Sequence, residues 1–244
     1  MRTVRVFPDE RTLFEAAAEQ ITQNLEAVLG ARPEATLVLT GGNTPRQLYS
    51  LLASPPYRDR IAWPRVHFFW GDERCVPPDD PQSNFGMAQE SLLSKVPIIM
   101  DRVHRMPGEL EDIDKAARRY ESEIARVIPG PGEPSFDLVL LGMGEDGHTA
   151  SLFPGTQWSE ERLVAGNFVP RLGSWRLTMT PRLLNAARAV LFLASGSAKA
   201  KTLAGVLEGP QGVFPAQRIA PEHGTLTWMV DSAAAAKLKC RQEG

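Results

Sequence analysis

One histidine of this sequence follows a predicted buried strand and lies among glycines. The segment Gly142 to Ser151 reads Gly-Met-Gly-Glu-Asp-Gly-His-Thr-Ala-Ser and comes directly after the apolar run Phe136 to Leu141. In open parallel sheets, ligands bind in the crevice beyond the carboxyl ends of the strands. Because an imidazole titrates at about pH 6.5, His148 is suited to take a proton from water. We predict that His148 is a catalytic base and that Asp146 orients its ring, with turn formation as the alternative role for Asp146.

The same segment contains the G-x-G-x-x-G spacing of dinucleotide-binding proteins, beginning at Gly142. That type of site needs a helix that runs on from the third glycine and an acidic residue about 20 positions later. Pro154-Gly155 would stop such a helix, and no carboxylate follows the next strand candidate, Leu163 to Val169. We therefore expect the glycines, Gly144 among them, to make room for another ligand.

A second strand candidate, Thr36 to Thr40, leads into a glycine-rich loop and a helix. We predict that Thr44 is the N-cap of this helix and that Pro45 is its first residue. Glycines let the backbone approach an anion, and the positive end of a helix dipole attracts one. The predicted phosphate-binding residues of this loop are Gly41, Gly42, Asn43 and Thr44. An ordinary strand-to-helix turn is the alternative.

Charged residues follow two further predicted strands, and another lies within the strand candidate Trp175 to Thr180. Asp72 and Arg74 follow the strand Val66 to Trp70, and Lys199 lies in the first turn of a predicted helix after the strand Ala189 to Ala194. A lysine at that end of a helix is unfavourable unless an anion joins it. Together with Arg176, these residues are predicted to bind substrate, with Arg74 facing either a phosphate or a developing oxyanion. Solvent-exposed charges are the alternative for each of them.

Strand-like runs alternate with helical patterns along the chain, which favours a mostly parallel sheet covered by helices on both faces. The first helix is predicted from about Asp9 to Leu29, closed by Gly30, and another from Glu111 to Val127. Leu163 to Val169 and Trp175 to Thr180 are predicted to form an added antiparallel pair or an edge layer. The six predicted strands of the main sheet are Val4 to Phe7, Thr36 to Thr40, Val66 to Trp70, Phe136 to Leu141, Ala189 to Ala194 and Leu226 to Val230.

Composition limits the class of partner. The chain has 244 residues, 43% of them hydrophobic, and a net charge of −2, which suits one α/β domain over residues 1–244 and gives no basic surface for nucleic acid. It has no apolar run long enough to span a membrane and no signal-peptide pattern near Met1. We expect a cytoplasmic protein, a monomer or weak dimer, whose partner is a small phosphorylated molecule rather than a nucleic acid or a membrane.

Cysteine and histidine usage argues against disulfides and metals. Cys75 and Cys240 are far apart and form no C-x-x-C motif, so we expect free thiols. The four histidines are scattered without the spacing of metal ligands. We expect no metal and no cofactor.

Taken in order, these segments resemble the 6-phosphogluconolactonase family, whose relatives include glucosamine-6-phosphate deaminase. The resemblance implies a Rossmann-like α/β sandwich. It also implies hydrolysis of 6-phospho-D-glucono-1,5-lactone to 6-phospho-D-gluconate, a step of the oxidative pentose phosphate pathway. One departure is Asn43, where serine is more usual. The matching segments, spread over nearly the whole chain, are Leu39 to Pro45, Trp70 to Arg74 with Ser83-Asn84, Gly142 to Gly155, Arg176 to Thr180 and Gly196 to Lys199.

Two local sequences favour the lactonase over the deaminase. Deaminases resemble Asp-Glu-Tyr after the third strand and carry a further glutamate after the histidine loop. This chain instead has Asp72-Glu73-Arg74 and, after His148, the apolar Leu152-Phe153. The alternatives are a deaminase-like sugar-phosphate isomerase and a non-catalytic sugar-phosphate-sensing domain. The second is disfavoured because the chain has no basic helix-turn-helix segment.

Overall fold

Six short apolar runs form the main sheet of the computed structural model, which describes residues 2–239. All neighbouring strands in this sheet run parallel, as expected for strands that are nearly continuous in apolar residues. The alternating strands and helices therefore build a Rossmann-like α/β sandwich, which confirms the predicted fold class. In spatial order the strands are β1 (Arg2–Phe7), β9 (Thr225–Asp231), β8 (Ala189–Ala194), β5 (Leu138–Gly142), β2 (Ala35–Leu39) and β3 (Val66–Trp70).

A second, three-stranded sheet is antiparallel. Its strands are β4 (Asp72–Arg74), β6 (Val164–Val169) and β7 (Ser174–Met179), with β7 in the middle. The predicted β6–β7 pair is confirmed. The short strand β4 was not predicted, because three charged residues after a buried strand carry no alternation that would indicate a strand.

Seven α-helices lie around the sheets within residues 2–239. They are α1 (Glu10–Ala31), α2 (Asn43–Leu52), α3 (Tyr57–Arg60), α4 (Asn84–Ala88), α5 (Ile113–Val127), α6 (Pro181–Asn185) and α7 (Ala200–Glu208). None of the helices in this part of the chain is both long enough and apolar enough to span a membrane.

Helix α1 begins as predicted, but its predicted end is wrong. The Asp9 carboxylate caps it by accepting a hydrogen bond of 2.8 Å from the backbone N–H of Thr12. The helix runs through Gly30 to Ala31 and stops at Arg32, which has an extended backbone. Pro33 follows, and a residue before proline is disfavoured in the helical region. Proline rather than glycine therefore terminates the helix.

Helix α2 begins two residues earlier than predicted. Its N-cap is Gly42 rather than Thr44, and Asn43 is its first residue. Gly42 has φ = 111°, a conformation that residues with a side chain rarely adopt. Because the glycine turns the chain there, the backbone N–H groups of Asn43 and Thr44 both lie in the first turn, where they have no partner within the helix.

The sheet order brings the functional loops together. β5 pairs with β2 on one side and with β8 on the other, so the segments that follow these three parallel strands leave the same edge of the sheet. On the adjacent strands β8 and β9, the directly paired residues Phe192 and Trp228 stack their rings with centroids 3.9 Å apart.

Candidate active site

The segments that follow β2, β3, β5 and β8 enclose a cavity of about 550 Å³. This volume is within the range of small-molecule sites in proteins. Of the residues predicted from the sequence, those that line the cavity are Gly41, Gly42, Asn43, Thr44, Asp72, Arg74, Gly144, His148, Arg176 and Lys199. The remaining predicted residue, Asp146, lies behind His148. The residues predicted from separate loops therefore converge on one cavity.

His148 and Asp146 form a hydrogen-bonded pair at the edge of this cavity. The His148 Nδ1 lies 2.5 Å from the Asp146 Oδ1, which also accepts a bond of 3.2 Å from the backbone N–H of His148. A carboxylate only accepts, so Nδ1 carries the proton and Nε2 keeps its lone pair. The ring of Phe153 stacks on the imidazole with centroids 4.2 Å apart. The pair therefore presents a basic nitrogen in a fixed orientation.

The turn that carries this pair depends on glycine. A Cβ at Gly144 would lie 2.0 Å from the His148 Nδ1 and 2.7 Å from the Asp146 Oδ1. Any side chain there would displace the two groups. The Gly144 N–H donates to the carbonyl of His148 at 2.9 Å, which closes the turn. No helix follows Gly147 before β6, as the position of Pro154-Gly155 predicts.

Asp146 is held in its ionised form. Burial opposes ionisation, but the hydrogen bonds from the His148 ring and backbone N–H, with a contribution from the Arg171 guanidinium, outweigh it and lower the pKa of Asp146 below its ordinary value. The Arg171 Nη2 lies 2.6 Å from the Asp146 Oδ2. That oxygen has no well-aligned hydrogen bond, so the contact is an ion pair rather than a directed bond.

Two arginines face each other beside the cavity. Arg74 in β4 and Arg176 in β7 are directly paired across the antiparallel strands. Burial and the neighbouring Arg74 charge lower the pKa of Arg176 from its ordinary value. Within residues 2–239, neither arginine nor Lys199 forms an ion pair with a carboxylate. Like charges opposite one another on a sheet are destabilising, so this arrangement suits an anion between them.

The β3–β4 segment is anchored by a buried carboxylate. Glu73 is only 2% exposed, and its side chain accepts hydrogen bonds from the backbone N–H groups of Arg74, Asn84 and Phe85 at 2.7–2.8 Å. Burial raises the pKa of Glu73, although these bonds oppose that effect. Glu73 therefore fixes the loop that carries Arg74 and Asn84. It is a structural carboxylate rather than a cavity residue.

Asp72 joins three segments around the cavity. Its Oδ2 accepts a hydrogen bond of 2.7 Å from the Ser151 hydroxyl, and its backbone carbonyl accepts one of 2.9 Å from the Asn84 side chain. A Cβ at Gly41 would lie 1.8 Å from the Asn84 Oδ1. The glycine thus lets the β2 loop approach the amide. Asp72 links β4 to the histidine loop.

The loop after β8 is tied to the sheet and to α2. The Gly196 N–H donates to both carboxylate oxygens of Asp231 at 3.0–3.1 Å. The hydroxyls of Ser195 and Thr44 lie 3.3 Å apart. Lys199 ends a short 3₁₀ turn, Ser197–Lys199, and is the N-cap of α7, so it lies one residue before the α-helix whose first turn it was predicted to occupy.

Several cavity residues were not predicted. Asn84 had a sequence signal, since Ser83-Asn84 follows the Arg74 loop. Arg171 and Leu172 had none, because they lie at the tip of the β6–β7 hairpin, where exposed charged and apolar residues are common. The unassigned residues that line the cavity include Thr40, Asn84, Ser151, Phe153, Arg171, Leu172 and Ser195.

Neither metals nor disulfides are indicated in the described part of the chain. Residues 2–239 contain no cluster of three or more histidine, cysteine or acidic side chains arranged to hold a metal ion. Cys75 is a free thiol, and burial raises its pKa to about 11. Cys240, the other predicted free thiol, lies outside the described residues.

The fold and the site define the class of protein: a Rossmann-like α/β protein with a small-molecule cavity at the carboxyl edge of its sheet. The family model of glucosamine-6-phosphate isomerases/6-phosphogluconolactonase matches residues 8–228. The 6-phosphogluconolactonase of Synechocystis sp. is 38% identical over 97% of this chain and 98% of its own length. That of Haemophilus influenzae is 37% identical, with 89% and 94% covered.

A solved structure agrees with these sequence matches. The 6-phosphogluconolactonase from Trypanosoma brucei superposes with a TM-score of 0.86 at 30% identity, covering 98% of this chain and 99% of that one. The chain therefore belongs to the glucosamine-6-phosphate isomerase/6-phosphogluconolactonase family.

Proposed function

We propose that this protein is a 6-phosphogluconolactonase, which hydrolyses 6-phospho-D-glucono-1,5-lactone to 6-phospho-D-gluconate. One observation carries the proposal: a single cavity combines a histidine oriented by a carboxylate with basic side chains that lack acidic partners. The first group suits activation of water, and the second suits a phosphate dianion. The names of the relatives support the same activity.

His148 acts as the base. Its Nε2 takes a proton from water while the water oxygen bonds to the lactone carbonyl carbon, and the carbonyl oxygen becomes an oxyanion. Asp146 stabilises the imidazolium that forms. When the tetrahedral intermediate collapses, the bond from the carbonyl carbon to the ring oxygen breaks, and the imidazolium returns its proton to that oxygen. The new carboxylic acid then ionises and releases one proton to solvent.

The cations hold the other end of the substrate. A phosphate monoester carries about −1.5 to −2 charges near neutral pH, and Arg74, Arg176, Lys199 and the first turn of α2 are the groups that neutralise it. An arginine that contacts the phosphate contributes mainly to KM, whereas one that contacts the oxyanion contributes mainly to kcat, so kinetics of single variants distinguish the two roles. Binding of the phosphate orients the distant carbonyl, so part of the binding free energy lowers the activation free energy of hydrolysis.

The test is an assay of lactone hydrolysis above the spontaneous rate. The lactone is generated from glucose 6-phosphate, and its disappearance and the release of acid are both followed. The wild-type protein is expected to accelerate both, and to act poorly on the unphosphorylated glucono-1,5-lactone. The matched control is His148→Asn, which is close in size but lacks the basic nitrogen. Hydrolysis no faster than in buffer would refute the proposal.

The deaminase alternative is tested with the same preparation. Glucosamine 6-phosphate is added, and ammonia release is measured. No release is expected, because the loop after His148 continues with apolar residues rather than with a further glutamate. Ammonia release without lactone hydrolysis would replace the lactonase with the deaminase.

A further inference from the structure

The tip of the β6–β7 hairpin reaches the His148–Asp146 pair from outside the main sheet. Arg171 lies in the 3₁₀ turn Pro170–Leu172, which Gly173 closes in a left-handed conformation with φ = 57°. The arginine side chain is 54% exposed, yet it lines the cavity together with Leu172. Arg171 is therefore an exposed hairpin residue that also lines the cavity, and nothing in its local sequence indicates this.

Arg171 contacts both groups that hold the imidazole. Its Nη2 lies 2.6 Å from the Asp146 Oδ2, while the other oxygen of the same carboxylate holds the His148 Nδ1 at 2.5 Å. Its guanidinium carbon lies 4.9 Å from the centre of the Phe153 ring. Phe153 in turn stacks on His148 at 4.2 Å. Arg171 thus contacts the two side chains, Asp146 and Phe153, that hold the His148 ring.

We propose that Arg171 is a positioning residue for the reaction, which holds Asp146 and Phe153 around His148 and keeps the imidazole in its neutral, basic form. This inference rests on the proposed function of the cavity. Arg171 is a side chain of the hairpin, so the antiparallel sheet takes part in the chemistry that occurs at the edge of the parallel sheet.

The sign of the electrostatic effect follows from the shared carboxylate. Arg171 and a protonated His148 are both cations that compete for Asp146, so the arginine disfavours protonation of the base. Removing its charge makes protonation easier, and activity is then lost at a higher pH as the solution is acidified. The other ionisable side chains that line the cavity are Asp72, Arg74, Arg176 and Lys199, and they remain unchanged in the comparison.

The experiment measures kcat/KM against pH for the wild type, Arg171→Gln and Arg171→Lys. For R171Q we expect a loss of about tenfold in kcat/KM and an acid limb that moves up by about half to one pH unit, as a charge a few ångströms away would cause. R171K keeps the charge but not the planar group over Phe153. Its acid limb is expected near that of the wild type, with a loss of only a few fold in kcat.

Arg218→Gln is the matched control. Arg218 also combines an ion pair of 2.6 Å, with Glu160, and a cation–π contact, 5.6 Å from the centre of the Trp158 ring. It does not line the cavity. R218Q should keep the wild-type profile. An unchanged acid limb in R171Q, or an equal shift in R218Q, would overturn the role of Arg171.

A second measurement separates this inference from the proposed function. Long-range ¹H–¹⁵N spectra of the histidine rings, with the His148 signals assigned from their absence in His148→Asn, report protonation without any substrate. R171Q is expected to shift the His148 titration to higher pH and to reduce the share of the Nδ1–H tautomer. Identical titrations and tautomers in wild type and R171Q would reject the inference even if lactone is hydrolysed. The expected shift would support it even if lactone is not.

Discussion

Two histidine–carboxylate clusters in this molecule use similar contacts for different ends. In the cavity cluster, formed by Asp146, His148 and the cations beside them, the carboxylate holds Nδ1 of a histidine that lines the cavity, and Nε2 forms no hydrogen bond with the described residues. In the strand cluster, formed by Glu34, His67, His104 and Glu123 around β3, both nitrogens of His104 are occupied. Its Nδ1 lies 2.7 Å from the Glu123 Oε1, and its Nε2 lies 2.9 Å from the His67 Nδ1.

The surrounding charges differ in the same way. In the strand cluster each carboxylate has an arginine partner: Arg102 lies 2.6 Å from Glu34, and Arg126 lies 2.6 Å from Glu123. Hydrogen bonds from Arg126, and to a lesser degree from His104, lower the pKa of Glu123 to about 2. In the cavity cluster Arg171 pairs with Asp146, whereas Arg74, Arg176 and Lys199 form no ion pair within residues 2–239. The proposed catalytic pair thus differs from the strand cluster in lining a cavity and in having beside it cations without carboxylate partners among the described residues.

The largest expected effect is a loss of kcat that occurs on substitution of His148 but not of His104. His148→Asn removes the proposed base and should lower kcat by about 10²–10⁴-fold, while the midpoint of thermal unfolding should stay close to that of the wild type because the ring is partly exposed. His104→Asn should retain kcat/KM within about twofold. A large loss of activity in H104N, or near-normal turnover in H148N, would erase the distinction.

The second prediction concerns the unpaired cations. Arg176→Met should raise KM by about tenfold to a hundredfold, the expected loss of a hydrogen bond to a charged group. If Arg176 instead serves the oxyanion, kcat falls and KM changes little. Arg126→Met, in the strand cluster, is the matched control and should leave both constants unchanged. Steady-state kinetics on the phosphorylated lactone distinguish these results.

The same variant should be slightly more stable than the wild type. Arg74 and Arg176 are like charges paired across two strands, so R176M is expected to raise the free energy of unfolding by a few tenths of a kcal/mol without ligand. 6-Phosphogluconate should stabilise the wild type and have less effect on R176M. A wild type that is not stabilised by this ligand would argue against an anion site between the arginines.

The third prediction concerns the stability of the strand cluster. His104 is only 4% exposed and stacks 4.5 Å from Phe69. H104N leaves His67 and Glu123 each without one partner, and we expect a loss of about 1–3 kcal/mol in the free energy of unfolding. His223→Asn, at an exposed loop position, is the control and should change it little. Urea unfolding curves measure both, and equal stability of H104N and H223N would contradict the structural role.

The smallest effect is a pH dependence. Burial lowers the pKa of both His67 and His104, whereas in the unfolded chain these imidazoles titrate at about pH 6.5. Between these values the unfolded chain binds more protons, so stability is full above about pH 6.5 and falls as the solution is acidified. The variant H67N/H104N should show a shallower fall between pH 6.5 and the folded pKa values. A wild-type stability that is flat or rises on acidification would contradict this sign.

Much of the fold could be predicted from the sequence because apolar runs and helical stripes are local signals. The strands Val66–Trp70 and Ala189–Ala194 were predicted with the bounds that the structure has. The ends of the helices were harder to predict because several nearby residues can end or begin a helix. Gly30 was predicted to end α1 where Pro33 does, and Thr44 was predicted to cap α2 where Gly42 does. β4 escaped prediction because a strand of three charged residues owes its existence to its partner β7.

The sequence by itself determined the chemistry that each strand end can offer: a histidine two residues after a carboxylate, a glycine loop before a helix, and basic residues after buried strands. These are properties of adjacent residues, which backbone sterics and side-chain type decide. Only the tertiary structure decided which of them meet. Arg74 and Arg176 became neighbours through strand pairing, and Arg171 reached Asp146 through the hairpin that carries it, because contacts between distant segments depend on how sheets pack rather than on local sequence.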